Sequence, residues 1–328
     1  MSHRYRGRRV ATALAALSLV AGGVLGGAAP ASAVAPVTAG ARVVSERQAG
    51  ARTLDLTVYS SAVGTHLPVR VILPARFTAE PERRWPVLYL LQGAHDDHTS
   101  WTRETDVEEF LADKDVLTVM PSSGPTGIPT DWWNHGRNAP DYETFQVDEL
   151  MALLHAEYRA SGARAVAGVS TGGYGALAFA ARCRGAFGAA ASYSGILDTT
   201  APGMPTVLGA IVARELRPPS SLWGSVLFQA DNWRRHNPRA LAGHLTGTHL
   251  YLSQGSGLPS DDFGNLEGAV LEGTLWGQAQ EFARELRRRG VPARTHFYPG
   301  GTHAWPSWQR EFKASWPTLA AGLGLPAT

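Results

Sequence analysis

Residues 165–175, Ala165-Val166-Ala167-Gly168-Val169-Ser170-Thr171-Gly172-Gly173-Tyr174-Gly175, run from an apolar stretch through a Gly-x-Ser-x-Gly turn into an Ala-rich helical pattern. A short, continuously apolar run suits a strand buried on both faces. A serine on so sharp a strand-to-helix turn lifts its hydroxyl above the sheet. Glycines flank it because side chains there would collide with neighbouring backbone. The helix N-terminus behind it offers unpaired N–H groups and a positive dipole end to a developing oxyanion. Ser170 is therefore a candidate nucleophile.

The surrounding chain supplies more strands of the same kind. Pro86 to Leu91, Val116 to Met120, Phe187 to Tyr193 and His249 to Ser253 are short apolar runs. Thr53 to Tyr59 alternates polar and apolar residues, the period of a half-buried strand, and His66 to Leu73 reads as its hairpin partner. Helical patterns lie between: Thr105 to Asp113, Tyr142 to Tyr158, Gly173 to Cys183, Ala269 to Arg289 closed by Gly290, and Ser307 to Leu323. Strands alternating with helices predict an α/β fold with a mostly parallel sheet covered on both faces. Residues 200–237, rich in Pro, Gly and Trp, break that rhythm and read as an insertion over the sheet's C-terminal edge, where a lid would sit.

A serine nucleophile needs a base, and in a strand-turn-helix hydrolase the chain order is Ser, then Asp or Glu, then His. His303, in Gly300-Gly301-Thr302-His303-Ala304-Trp305 after the strand-like Arg294 to Tyr298, has that order and that kind of loop. His155 and His296 fall within a helix and a strand, where structural histidines are the ordinary case. The acid is expected after the strand Leu250 to Ser253, which offers Asp261 or Asp262; Asp198, one strand earlier, is a third candidate. Its task is to hold the imidazole tautomer and stabilise the imidazolium. Two backbone donors complete the site: Thr171, directly after the nucleophile, and Ala94 in Gln92-Gly93-Ala94-His95.

The N-terminus carries Arg4, Arg6, Arg8 and Arg9, an apolar run from Val10 to about Ala29, and Ala31-Ser32-Ala33. That is the layout of a secretory signal peptide cleaved after residue 33. It predicts export to the extracellular space or cell envelope, with residues 34–50 a flexible linker and 51–324 one catalytic domain. The chain's net charge of +2 falls to about −2 once those arginines are removed, and no basic run interleaved with aromatics suggests a nucleic-acid partner. Cys183 is the only cysteine, so no internal disulfide can form.

With these pieces placed, the chain resembles the mycobacterial mycolyltransferase (antigen 85) group of α/β-hydrolase esterases. The similar stretches are Tyr89 to Gly93 with Asp96-Asp97 and Trp101; Thr130-Asp131-Trp132-Trp133; Ser194 to Asp198; Gly255-Ser256-Gly257-Leu258-Pro259; and Gly301 to Trp305 with Trp308. The resemblance implies an α/β-hydrolase fold and acyl transfer through a seryl ester, with no cofactor. It also implies Asp261 as the acid and Ala94 as the second oxyanion donor. Gln92-Gly93 stands where the family has Asp-Gly, whose Asp helps bind sugar, so chemistry carries over and sugar specificity does not.

His95-Asp96-Asp97-His98 could suggest a metal, but adjacent positions in one loop rarely converge on one ion. Trp132 and Trp305 are candidates to line a site for a small-molecule, lipid or sugar ester. The alternative is a non-catalytic binding protein on the same fold, which would be expected to lose a member of the Ser, acid and His set.

Overall fold

The computed structural model describes residues 40–327 apart from 138–139 and 259–264. The expected signal peptide, 1–33, lies outside the described residues, as do Asp261 and Asp262. Among the described residues one sheet holds nine strands: β1 (Ala41–Gln48), β2 (Thr53–Ser60), β3 (Thr65–Ile72), β4 (Trp85–Leu91), β5 (Leu117–Pro121), β6 (Ala160–Val169), β7 (Ala189–Tyr193), β8 (His249–Gly255) and β9 (Arg294–Tyr298). Their spatial order is β1-β2-β3-β5-β4-β6-β7-β8-β9. The pairings from β1 to β5 are antiparallel, and every pairing from β5 through β4, β6, β7 and β8 to β9 is parallel.

The helices are α1 (Ser100–Glu104), α2 (Val107–Phe110), α3 (Tyr142–Thr144), α4 (Leu150–Glu157), α5 (Thr171–Arg182), α6 (Met204–Arg214), α7 (Ala230–Arg235), α8 (Leu266–Arg288) and α9 (Trp305–Leu323). A π-helical turn, Phe145–Glu149, joins α3 to α4, so the expected helix from Tyr142 continues with one wide turn. The apolar core divides into two layers. One contains residues of α4, α5, α6 and α8; the other lies across the sheet and contains residues of α2 and α9 with Trp101 of α1. Burial on both faces explains why the parallel strands read as unbroken apolar runs rather than alternating ones.

The expected linker 34–50 needs correction over its second part. Ala41–Gln48 is an edge strand, paired with β2 and interrupted by an irregularity between Val43 and Ser45. Its mostly exposed face, with Arg42, Glu46 and Arg47, hides its strand character from a search for apolar alternation, and charge and a bulge are how sheet edges resist further pairing. The expected helix at Thr105 to Asp113 shortens to the four residues of α2, preceded by α1.

Candidate active site

Ser170 sits between the end of central strand β6 and the start of α5 with φ 55° and ψ −119°, a conformation L-residues rarely adopt. The turn is held because the Ser170 N–H donates to Tyr193 O at 3.0 Å and its carbonyl accepts from Tyr174 N at 3.0 Å. The flanking glycines leave no alternative. A Cβ on Gly168 would lie 2.2 Å from Gly172 O, and one on Gly172 would lie 2.4 Å from Gln92 O. Both obstacles are backbone, which cannot swing aside.

His303 follows β9 in the loop expected for it and lines the same cavity as Ser170. Its backbone N–H donates to Gly268 O at 3.1 Å, which ties the loop to the first turn of α8. The carboxylate beside it is Glu272 of α8: the Nδ1–H donates to Glu272 Oε2 at 2.9 Å. With Nδ1 so engaged, Nε2 is the ring nitrogen left to accept a proton. Glu272 is fully buried. Its other oxygen, Oε1, accepts from Ser194 Oγ at 2.8 Å and from Gly255 N at 2.8 Å, so the carboxylate is saturated on both sides.

This corrects the expected acid. The carboxylate on His303 Nδ1 is that of Glu272, one element further along the chain than the expected Asp261. Asp198 has different work. Its carboxylate accepts from Thr200 N at 3.1 Å, Thr200 Oγ1 at 2.9 Å, Asn237 Nδ2 at 2.7 Å and Arg239 Nη1 at 2.9 Å. A signal for Glu272 was present: Gly268, Glu272, Leu275, Ala279, Phe282 and Leu286 form the buried stripe of α8, and a lone carboxylate on an apolar stripe needs a partner.

A cavity of about 620 Å³ opens over Ser170. Its apolar wall includes Val207 and Ile211 of α6, Leu271 and Leu275 of α8, and Trp305 and Trp308 of α9, while His95, Asp96, Arg214 and Glu267 add polar groups. The insertion at 200–237 thus contributes one wall through α6. Ala94 also lines the cavity, and a Cβ added to Gly93 beside it would lie 3.6 Å from Ser170 Cβ. Thr171 is the first residue of α5, where backbone N–H groups have no intrahelical acceptor. Thr171 thus directly follows the serine, and Ala94 lines the cavity that Ser170 faces.

Trp305 lines the cavity, edge-on to Trp308 with ring centroids 5.2 Å apart. Trp132 does not: it is 5% exposed and belongs to the core beneath the insertion, which corrects its expected substrate role. The residues of the His95–His98 loop are engaged by side chains and backbone of the protein. His95 Nδ1 meets Glu215 Oε1 at 2.8 Å, Asp96 accepts from Arg103 at 2.7 Å and Asp97 accepts from Thr99 N at 2.7 Å. His155 and His296 lie elsewhere, His155 against Ala160 O at 3.0 Å and His296 against Glu311 at 2.8 Å.

Comparison with known proteins places the chain in a family. Residues 60–319 match the Esterase family, described as "Putative esterase". The diacylglycerol acyltransferase/mycolyltransferase Ag85A of Mycobacterium gordonae is 32% identical over 253 residues, 73% of this chain and 74% of that protein. The esterase Rv1288 of Mycobacterium tuberculosis is 28% identical over 271 residues, 80% of this chain and 58% of that protein. Among solved structures, Mycobacterium tuberculosis MPT51 superposes with a TM-score of 0.68 at 24% identity, covering 84% of this chain and 100% of that one. The fluorophosphonate-binding serine hydrolase FphF of Staphylococcus aureus gives 0.62 at 21% identity, over 80% and 96% of the two chains. The chain therefore belongs to the Esterase family, as an ester hydrolase or acyltransferase of the α/β-hydrolase fold similar to the antigen 85 enzymes.

Proposed function

We propose that the protein cleaves carboxylic esters through a seryl acyl-enzyme, with Ser170 as nucleophile, His303 as general base and then acid, and Glu272 as the residue that orients and charges-balances the imidazole. The observation that carries this reading is the Glu272–His303 hydrogen bond at 2.9 Å beside a strained serine in one cavity. His303 takes the Ser170 proton as the hydroxyl attacks the ester carbonyl. The amides of Thr171 and Ala94 then stabilise the oxyanion. The imidazolium returns its proton to the departing alkoxide, leaving an ester on Ser170. Water or an alcohol, deprotonated by the same base, releases the acyl group, so hydrolysis and transfer share every residue named. The apolar wall between α6 and α8 suits the acyl group and the polar rim suits the alcohol.

We further propose that the protein is exported. The basic, apolar and small-residue segments of 1–33 support this, and no helix among the described residues is long and apolar enough to cross a membrane. The N-terminus of secreted protein should begin at Val34.

The main test is turnover of p-nitrophenyl esters together with fluorophosphonate labelling. Ser170→Ala and His303→Ala should each lose up to ~10⁶ in kcat, with labelling confined to Ser170 in the parent. Turnover by Ser170→Ala near the parent rate, or labelling at another residue, defeats the proposal.

A further inference from the structure

The carboxylate of Glu272 belongs to a closed circuit of four side chains drawn from four parts of the fold. Trp308 of α9 donates its Nε1–H to Ser194 Oγ at 3.0 Å. Ser194, just after β7, donates to Glu272 Oε1 at 2.8 Å. Glu272 Oε2 accepts from His303 Nδ1 at 2.9 Å. The imidazole of His303 then packs edge-to-face on the Trp308 ring, with centroids 5.0 Å apart and planes at 89°.

The direction of the chain follows from donor chemistry. An indole N–H can only donate, so Ser194 Oγ must spend a lone pair on Trp308. A hydroxyl has one proton, and the carboxylate can only accept. The Ser194 proton is therefore committed to Glu272, and the carboxylate cannot rotate without breaking bonds to Ser194 and to Gly255 N at 2.8 Å. Ser194 occupies φ 51°, an unfavourable conformation for a non-glycine residue, and its N–H donates to Ser253 O at 3.0 Å. That backbone strain sets the hydroxyl where the circuit needs it.

We propose that Ser194 and Trp308 are positioning residues: they set the Glu272 carboxylate, and through it the ring plane of His303, for proton transfer from Ser170. This rests on the triad reading above. A displacement of the base by a fraction of an ångström to 1 Å is enough to slow catalysis by about ten- to a hundredfold.

The experiment compares Ser194→Ala, Trp308→Phe and the double variant in the full chain, measuring kcat and KM on p-nitrophenyl acetate, the rate of fluorophosphonate labelling and Tm. Trp308→Phe keeps an aromatic ring against His303 and removes the donor together with the second ring of the indole. Ser194→Ala should lower kcat and labelling rate roughly tenfold or more with KM little changed. The double variant should fall no further than the worse single variant, because both substitutions break one chain. Ser194→Thr, which restores a hydroxyl, should recover part of the loss. A Ser194→Ala enzyme within twofold of parent kcat, or single losses that multiply in the double variant, overturns the inference. Ser170→Ala run alongside separates the two failures: if it is inactive while Ser194→Ala is unaffected, only the positioning role falls.

Discussion

At the scale of single residues, the proposed mechanism makes the charge and orientation of Glu272 decide whether His303 can act as a base. Glu272→Gln tests this sharply. Ser194 and Gly255 both donate to the Oε1 position, so the amide oxygen must sit there and its NH₂ must face His303 Nδ1. The imidazole is then held in the tautomer whose Nε2 already carries a proton. Loss of kcat by about 10⁴ is expected, with Tm close to the parent's, since size and burial are unchanged. Esterase assays give the answer; a variant retaining a tenth of parent kcat would remove Glu272 from the mechanism. Cys183, by contrast, stays out of the chemistry: burial, with Glu143 nearby, pushes its thiol up to about 12, so it is protonated at neutral pH.

At the scale of elements, Asp198 is the clamp for the insertion. Its partners Thr200, Asn237 and Arg239 stand at or just beyond the two ends of residues 200–237, so one buried carboxylate closes the base of the segment that carries α6. Burial works against its charge, but these donors outweigh it and hold its pKa below the ordinary carboxylate value. Asp198→Asn keeps one acceptor and gives Arg239 no charge to pair with. It should cost about 1–3 kcal/mol, discounted for the partial exposure of Arg239. Because Val207 and Ile211 of α6 wall the cavity, KM for a long-chain ester should rise while kcat on a short one changes little. Thermal melts, ester kinetics and limited proteolysis of residues 200–237 report the three effects; a variant as protease-resistant as the parent would show that the clamp is redundant.

At the scale of the whole molecule, stability against acid should decline in two stages. His236 stacks on Trp223, with centroids 5.1 Å apart, and burial followed by the nearby Arg182 charge lowers its pKa to about 3 from the ordinary 6.5. Below pH 6.5 the unfolded chain takes up this proton and the folded chain does not. The stability His236 supplies is therefore present above that pH and is lost as pH falls toward 3. Asp55, held low by its hydrogen bond from Arg70, and Asp115, held low by that from Arg76, act further down: their contributions are present above about pH 4 and lost below it. Asp141 has the opposite sign. Burial and Asp131 raise it to about 6, so its contribution is present in acid and lost as pH rises through that value. His236→Asn should flatten the fall in Tm between pH 6.5 and 4 and leave the steeper one below; an unchanged upper slope would assign that stage to another group.

The local signals carried the fold and pointed to half of the proposed site. Apolar runs, a Gly-x-Ser-x-Gly turn and a histidine in a late loop are consequences of chain-local constraints: burial on two faces, glycines where backbone meets backbone, and an order of elements that leaves few topologies. Those constraints pointed to Ser170, His303 and the amides of Thr171 and Ala94 as the proposed site from residue order. What they could not name was Glu272, because pairing a carboxylate with His303 depends on how far α8 rotates and slides against β8 and the loop after β9. Adjacent loop aspartates and a helical glutamate are equivalent in chain order, and Trp132 and Trp305 are equivalent in composition. Only packing in three dimensions set Glu272 against His303, and Trp305 in the cavity wall with Trp132 in the core.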